Sequence, residues 1–466
     1  MSFSTLLAAD RHIMQLTHDY GRDLRRTSLN TSRCLIILFL LFILWGPLTA
    51  ANSQTSASDS SKPNRGVPIG LAKSQGGIPS LTPSSFGFQC GTGLPTNCPN
   101  ETWPTTIAQP GMIRLWDSQV QWHALNTSPG AYQWRTLDGY LDAIAAHQPR
   151  DVMYTFGYTP CWDTRGDCRR AWGSIYPPSD LTTSGSSSFN TFVAALTGHC
   201  SPAGHCVKDY IKYWEMWNEA NAPQFWAGTI AQLYELMSPA IKIVRNKVSG
   251  ALILTPPANR SDTDWMQGWL SEENKRGRLS DIFSIHLYLQ NGLPEKRFDR
   301  IKEMVNLKNN SSGWSDIPWM NTETNFDATT FACNSRYTSD DCMGQIVRWH
   351  LLHYAYGARH LNWFFFNTTI GRHKDYSSAY RFMMDWLVGG YFTAQCSASG
   401  SVYTCPFVQE NGRHAMFVWN SSGNSSYSPA TQYVDYKELS GGTTTAIPRG
   451  RPVPIGVKPI MLEAEN

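Results

Sequence analysis

The chain has 466 residues, enough for one large domain and a small one with an ample core. Its formal net charge is +3, with 39 Lys and Arg against 36 Asp and Glu, which excludes the strong positive field of a nucleic-acid binder. The compositional oddity is aromatic: 18 Trp and 20 Tyr, most of them expected in the core and a few at strand ends lining a cleft.

Arg25 and Arg26 precede an apolar block from Cys34 to Trp45, followed by Gly46-Pro47-Leu48-Thr49-Ala50-Ala51. The block falls short of the ~20 apolar residues of a membrane span. A basic flank, a short apolar core and small residues after it read as an export signal over residues 1–51. A cleaved signal implies a secreted or periplasmic protein; an uncleaved one implies a membrane anchor with the rest of the chain outside the cytoplasm. Residues 52–80, rich in Ser, Gly and Pro, are expected to be a flexible lead-in.

From residue 81 onward, short apolar runs alternate with amphipathic stretches. The predicted strands are Phe86–Gln89, Met112–Trp116, Asp151–Phe156, Tyr213–Trp217, Ala251–Thr255, Ile282–Leu287, Pro318–Thr322 and Leu361–Phe366. Helical spacing of apolar residues begins near Leu137 and Phe189, runs from Ile230 to Val248 with Gly250 as a stop, and recurs over Arg297–Val305 and Met343–Tyr356. Strand starts lie 26 to 62 residues apart, one strand-helix unit each. Eight such units predict an α/β fold, a (β/α)₈ TIM barrel over residues 81–390, with its chemistry at the C-terminal ends of the strands. Beyond Tyr391 the pattern changes to Val402–Val408, Ala415–Trp419, Gln432–Tyr436 and Ile460–Glu463, short strands between Ser, Gly and Asn turns. Residues 391–466 are expected to form a small accessory β-sandwich, completed by a strand from the N-terminal segment.

Cysteine spacing points to the same compartment as the leader. Cys34 aside, the cysteines fall into five close pairs: Cys90 with Cys98, Cys161 with Cys168, Cys200 with Cys206, Cys333 with Cys342, and Cys396 with Cys405. Each sits in a loop-like stretch, so five local disulfides in an oxidising compartment are expected. Neither the two-residue spacing of zinc knuckles nor clustered His accompanies them, so no metal is expected there.

Two carboxylates carry the chemical signal. Glu219 closes the run Tyr213-Trp214-Glu215-Met216-Trp217-Asn218-Glu219, and Glu323 closes Pro318-Trp319-Met320-Asn321-Thr322-Glu323 three units later. In an eight-stranded barrel those strand ends face each other across the cavity. Two carboxylates ~5 Å apart there could serve as acid/base and nucleophile of a retaining glycoside hydrolase. Repulsion by the second carboxylate favours the protonated form of the first. Read with strict alternation, Glu215, Trp217 and Glu219 share one face, placing Glu215 about 13 Å deeper as a buried structural partner. Glu272 and Glu273 belong to a charge run expected to be solvated.

Together these segments resemble clan A of the glycoside hydrolases. Trp217-Asn218-Glu219-Ala220-Asn221 is similar to the clan's fourth-strand motif, with Ala220 where Pro is usual. The resemblance implies Glu219 as acid/base, Glu323 as nucleophile and Asn218 as a ligand of the sugar 2-hydroxyl. It further implies that Tyr288 of His286-Leu287-Tyr288 contacts the nucleophile, that Arg114 helps keep it ionised, and that Trp363 floors the sugar site. Ile113-Arg114-Leu115-Trp116-Asp117, Gly130 to Trp134, and Tyr154-Thr155-Phe156-Gly157-Tyr158-Thr159-Pro160 resemble glycoside hydrolase family 39 in particular. Trp122 and Trp162 follow strand ends and read either as sugar platforms or as packing. His286 reads either as a sugar contact or as a hydrogen-bonded supporting group.

The expected activity is an exported retaining β-glycosidase on an oligosaccharide or polysaccharide, with carbohydrate its partner and neither metal nor cofactor required. An endo-acting polysaccharidase or transglycosylase shares the same site. A catalytically inactive carbohydrate-binding barrel would not need both Glu residues.

Overall fold

The apolar runs pair into one parallel sheet in a computed structural model, which describes residues 79–89, 110–149, 151–168, 172–290, 292–328, 330–371, 373–439 and 443–465. These all belong to a single compact unit, Pro63–Asn466. The export signal or anchor, and nearly all of the lead-in with the closing strand expected from it, lie outside the described residues.

Eight strands make the sheet: β1 (Phe86–Phe88), β2 (Met112–Leu115), β3 (Asp151–Thr155), β4 (Ile211–Glu215), β5 (Leu252–Leu254), β6 (Phe283–His286), β7 (Trp319–Thr324) and β8 (Ala358–Trp363). Hydrogen-bonded neighbours run β5-β4-β3-β2-β1-β8-β7-β6, and a parallel bridge between Leu254 and Ile282 brings β5 to the start of β6. The sheet thereby closes on itself as the expected barrel. Around it lie α1 (Arg135–His147), α2 (Ser187–Gly198), α3 (Ile230–Lys247), α4 (Thr263–Arg276), α5 (Pro294–Asn310), α6 (Ser339–Ala355) and α7 (Lys374–Leu387). Side chains at the starts of α3 and α6 explain where these helices begin. Thr229 with Gln232, and Thr338 with Asp341, form reciprocal capping boxes that satisfy the first free N–H groups.

Alternation sorts the strand residues. Met112, Met153, Tyr213, Leu254, Ile282 and Met320 form an apolar cluster of their own inside the barrel. Two residues further along their strands stand Arg114, Thr155 and Glu215, so the interior turns from apolar to polar towards the C-terminal ends. The outward residues of the same strands join the large core under the helices.

Three expectations need correction. The fourth strand ends at Glu215 rather than Trp217, because Trp217 adopts φ +73° and its N–H turns back to the Glu215 carbonyl at 3.0 Å. Alternation therefore stops there: the Trp217 ring packs on Trp226 in the helix layer, and Glu215 is not remote from the site. The supposed solvated charge run is the last part of α4. Glu273 within it is fully buried, accepting from Trp269 Nε1 (2.9 Å), Ser280 Oγ (2.6 Å), and the N–H groups of Leu279 and Ser280.

Past α7 the chain forms antiparallel strands: β9 (Tyr391–Phe392), β10 (Ser397–Ser399), β11 (Val402–Val408), β12 (His414–Asn420), β13 (Ser425–Tyr427), β14 (Tyr433–Glu438), β15 (Thr444–Ala446), β16 (Val453–Ile455) and β17 (Ile460–Ala464). The main sheet runs β9-β11-β12-β17-β14-β15, with β10 against β11, and β13 pairs separately with β16. This is the β-sandwich expected beside the barrel. Phe417 of β12 meets Trp386 of α7, and Trp419 donates to Glu295 of α5 at 2.7 Å.

Four of the five expected disulfides are present among the described residues. They join Cys161–Cys168, Cys200–Cys206, Cys333–Cys342 and Cys396–Cys405; unlike the loop placement expected, Cys342 lies in the first turn of α6 and Cys405 in the middle of β11. The fifth expectation, a bond between Cys90 and Cys98, differs from these: Cys98 and Cys90 both lie outside the described residues, so that pairing does not join the four.

Candidate active site

Arg114 organises the cavity from β2. It is fully buried, and each of its N–H groups has an acceptor. Nε and Nη2 reach Glu215 Oε2 at 3.0 and 2.6 Å, and Nη2 also reaches Asn218 Oδ1 at 2.8 Å. Nη1 reaches Gln89 Oε1 at 2.8 Å and Glu323 Oε2 at 2.6 Å. Burial opposes charge on Glu215, but Arg114 and His286 together hold its carboxyl below the usual range; Thr155 Oγ1 adds a bond at 2.8 Å. Glu215 is thus a buried structural partner, as expected, and its cation is the Arg that grips Glu323.

Glu323 reaches the cavity through an irregularity in β7. Met320 faces the interior and Asn321 faces out to His353 of α6, so strict alternation would aim Glu323 at the helices. Instead, pairing with β6 shifts register between Ile285 and His286, and pairing with β8 shifts between Leu361 and Trp363. A bulge that admits one extra residue re-aims Glu323 inward, and Thr324 then faces out again to Trp349. The Tyr288 hydroxyl donates to Glu323 Oε1 at 2.5 Å. Burial, and then the charges of Glu323 and Glu219, push the Tyr288 hydroxyl well above its ordinary value, so it stays a donor.

Glu219 sits in the turn after β4 at φ +42°. Asn259 Nδ2 donates to its Oε2 at 2.6 Å, and His286 Nδ1 lies 2.9 Å from its Oε1. Nε2 of His286 faces Arg114 Nη2 at 3.4 Å. A proton on Nε2 would point at a cation, so Nδ1 carries it and donates to Glu219. Asn259 is itself clasped: its N–H donates to Asn221 Oδ1 at 2.7 Å and its carbonyl accepts from Asn221 Nδ2 at 3.3 Å. Oxygens of Glu219 and Glu323 and a nitrogen of His286 all lie within 4.8 Å of one another. Among the described residues these three could hold a cation, yet Arg114 already neutralises one side and His286 is spent on Glu219. The arrangement suits proton transfer and attack by a carboxylate better than metal ligation.

The structure brings together Arg114, Asn218, Glu219, His286, Tyr288 and Glu323. It does not bring Trp363 in. That side chain takes the opposite face of β8 from His360 and Asn362, stacks on His350 of α6 and donates to Thr369 Oγ1 at 2.9 Å. Phe364, the first residue past the strand, packs on Phe331 and Phe365 instead. Trp122 is a packing residue: it has no exposed surface and lies against Phe189 and Phe192 of α2. Trp162 is partly exposed and donates to the Asn126 carbonyl at 2.8 Å, outside the bonds around the two Glu residues. Gln89, Asn259 and Asp117 were not singled out from sequence. Asn259 carries no motif, and Asp117 lies within a motif at the end of the predicted second strand that assigns it no role.

Left-handed non-glycine residues mark the same face. All of those found among the described residues except Gln148 fall in loops that follow barrel strands, including Asp117, Tyr158, Trp217, Glu219, Arg260, Gln290 and Phe365. Such strain concentrates where loops are shaped for function.

No family model and no curated protein matches the sequence. Solved structures match the fold. The catalytic domain of the family 30 xylanase C from Talaromyces cellulolyticus superposes with TM-score 0.54 and 11% identity, covering 84% of this chain and 98% of that one. The family 30 subfamily 8 xylanase of Clostridium acetobutylicum gives 0.52 and 12%, with coverage of 84% and 98%. The family 51 arabinofuranosidase of Xanthomonas axonopodis pv. citri gives 0.51 and 11%, again covering 84% and 98%. This chain therefore shares a (β/α)₈ barrel with an appended β-domain with proteins that it barely resembles in sequence.

Proposed function

We propose that the protein is an exported retaining β-glycosidase of clan A, closest in its motifs to family 39, acting on a carbohydrate by double displacement. The observation that carries this reading is the pair Glu219 and Glu323, with oxygens within 4.8 Å and different partners. That gap suits direct attack by a carboxylate; inverting enzymes leave room for a water between the two, ~6.5–9.5 Å. Glu323, held by Arg114 and Tyr288, attacks the anomeric carbon. Glu219 gives its proton to the departing oxygen, which leaves as an alcohol. Glu219 then takes a proton from water, whose oxygen displaces Glu323 and restores the enzyme. Asn218 gives its amide oxygen to Arg114, which turns its NH₂ end toward a sugar hydroxyl. The xylanase and arabinofuranosidase names of the fold's relatives support the substrate class. Four disulfides, which persist in oxidising compartments, support export.

The test is hydrolysis of aryl β-glycosides by wild type and Glu323→Ala, with azide added to the variant. Loss of turnover, with rescue as a glycosyl azide of inverted configuration, is expected. Turnover surviving in Glu323→Ala sinks the assignment. Endo action is a second reading favoured by one observation: Trp172, 52% exposed, and Tyr176, 37% exposed, stand on the loop after β3, where they could extend the cleft. Activity on polysaccharide alone, with none on aryl monosaccharides, would select it.

A further inference from the structure

Asp117 is a third carboxylate at the cavity mouth, and its environment is that of a residue waiting for a ligand. It follows β2 three positions after Arg114, in a left-handed turn at φ +55°. Asp tolerates that conformation better than most side chains, so the sequence can hold a carboxylate where a strand would otherwise have carried it away. The side chain is half-buried, not enclosed. Its one hydrogen bond among the described residues is a long one, 3.4 Å from Gln89 Nε2. The other end of that Gln89 amide accepts from Arg114, so Asp117 is tied by one intermediary to the group that grips Glu323.

Glu273, a fully buried structural carboxylate, accepts from four donors, whereas Glu215 takes Arg114 and Thr155 on one oxygen alone. An ionised carboxylate offers about four acceptor positions. Among the described residues Asp117 has the one donor, and its chain neighbour Trp116 belongs to an aromatic cluster. Trp116 stacks on Tyr158 with centroids 5.6 Å apart, and Phe225 meets Trp116 edge-on at 6.0 Å. The partly exposed rings of Tyr158 and Phe225, with centroids 5.9 Å apart, beside an acceptor with positions to spare suit a sugar ring, which presents apolar C–H faces and equatorial O–H donors.

Four charged or titratable groups face Asp117: Glu323 from β7, Arg114 from β2, Glu219 from the turn after β4, and Tyr158 from the loop after β3. Burial, and after it the charges of Glu323 and Glu219, push the Asp117 carboxyl up to about 7, against the pull of Arg114. A ligand that brought another carboxylate here would meet repulsion from three sides. A ligand that brought hydroxyls would supply the donors that the protein withholds.

We propose that Asp117 is a specificity-determining residue, accepting hydrogen bonds from hydroxyls of the glycosyl unit bound between Glu219 and Glu323 and selecting a neutral sugar over a uronate. This rests on the glycosidase reading above and narrows its substrate class. The experiment compares the full-length wild type with the near-isosteric Asp117→Asn, which preserves shape, and with Asp117→Ala. Substrates are aryl β-glycosides of neutral pentoses and hexoses, the monodeoxy analogues of the best of them, and the aryl β-glucuronide. Assayed at about pH 8, where a carboxyl raised to about 7 is ionised, Asp117→Asn is expected to lower kcat/KM by about 10- to 100-fold on the best neutral glycoside, as for a lost hydrogen bond to a charged group. The loss should nearly vanish on the one deoxy analogue lacking the hydroxyl that Asp117 holds. The ratio of glucuronide to neutral turnover should rise at least about tenfold. Wild-type rates in the variant, or an equal loss on every deoxy analogue, overturn the assignment while leaving the glycosidase reading intact. A wild type inactive on every glycoside, polysaccharides included, takes both down together.

Discussion

Arg114 Nη1 lies 2.6 Å from Glu323 Oε2, and the same guanidinium is 2.6 Å from Glu215 through Nη2. One buried cation therefore serves two anions, one of which never meets substrate. Glu215 fixes the plane of the guanidinium from below, and Glu323 is presented at its upper edge. The bond to Glu323 sets a cation against the proposed nucleophile, while the bonds to Glu215, Gln89 and Asn218 keep Arg114 from swinging to follow it.

Replacing Arg114 with Met should expose the cost of this arrangement. Glu215 would be left buried without its cation, and breaking a buried pair from one side costs about 3–5 kcal/mol. Urea unfolding of Arg114→Met should show a loss of that order, together with a fall in kcat. A variant as stable as wild type would mean that Glu215 finds another partner.

Tyr288→Phe removes the donor on the other oxygen of Glu323. A hydrogen bond to a charged group contributes about 1.5–3 kcal/mol, so kcat/KM should fall by about 10- to 100-fold with little change in stability. Burial and Glu323 keep the Tyr288 hydroxyl protonated through alkaline pH. The alkaline limb of the rate profile should accordingly keep its position in the variant. A limb that disappears with Tyr288 would assign that ionisation to the phenol and contradict this account.

Asp117 also links stability to pH. Its carboxyl, raised from 3.8 to about 7 in the folded chain, retains a proton that the unfolded chain has already released. Between those limits the folded state binds more protons, so this group's contribution to stability falls as pH rises through the window. Asp117→Asn has no such ionisation. Its stability relative to wild type should be lowest below pH 4, rise towards pH 7 and level off above, as read by thermal melts at three pH values. A constant difference across the range would refute the assigned ionisation.

Peptide mapping without reduction should recover Cys161–Cys168, Cys200–Cys206, Cys333–Cys342 and Cys396–Cys405 as linked pairs. The same map tests the fifth expected link, between Cys90 and Cys98, which proximity in the sequence alone supports. Each loop is short, so reduction should lower the melting temperature by local loosening rather than unfold the barrel. Any exchange of partners between the four observed pairs would contradict the fold at that loop.

The sequence announced the barrel because strand and helix periods differ and alternate eight times. It singled out Glu219 and Glu323 as candidates because each ends an apolar run, and the fold places their carboxylates near each other. It could not announce how Glu323 turns inward, since a bulge in β7 leaves no mark on composition. Trp363 was placed on the wrong face of its strand, because the unbroken aromatic run Trp363-Phe364-Phe365-Phe366 shows no alternation to fix one. Glu273 was misread because a charge-rich helix end looks the same whether one carboxylate points to water or into the core. Asn259 escaped notice because its role depends on Asn221 and Glu219 lying beside it in space.

The junction between α5, α6 and the C-terminal sheet has a consequence for engineering. Glu295 accepts from both Arg348 and Trp419, so one carboxylate closes a three-way joint between two barrel helices and β12. At the other end, Leu81 exchanges backbone bonds with Gly389 and Gly390, stitching the start of the barrel to the strand that leaves it. Cutting the chain after α7 would strand a buried Arg–Glu pair and bare the Trp386 face. The sheet is a fixed buttress and not an interchangeable cassette, so chimeras that graft this barrel onto a foreign β-domain should carry β12 and β17 along with it.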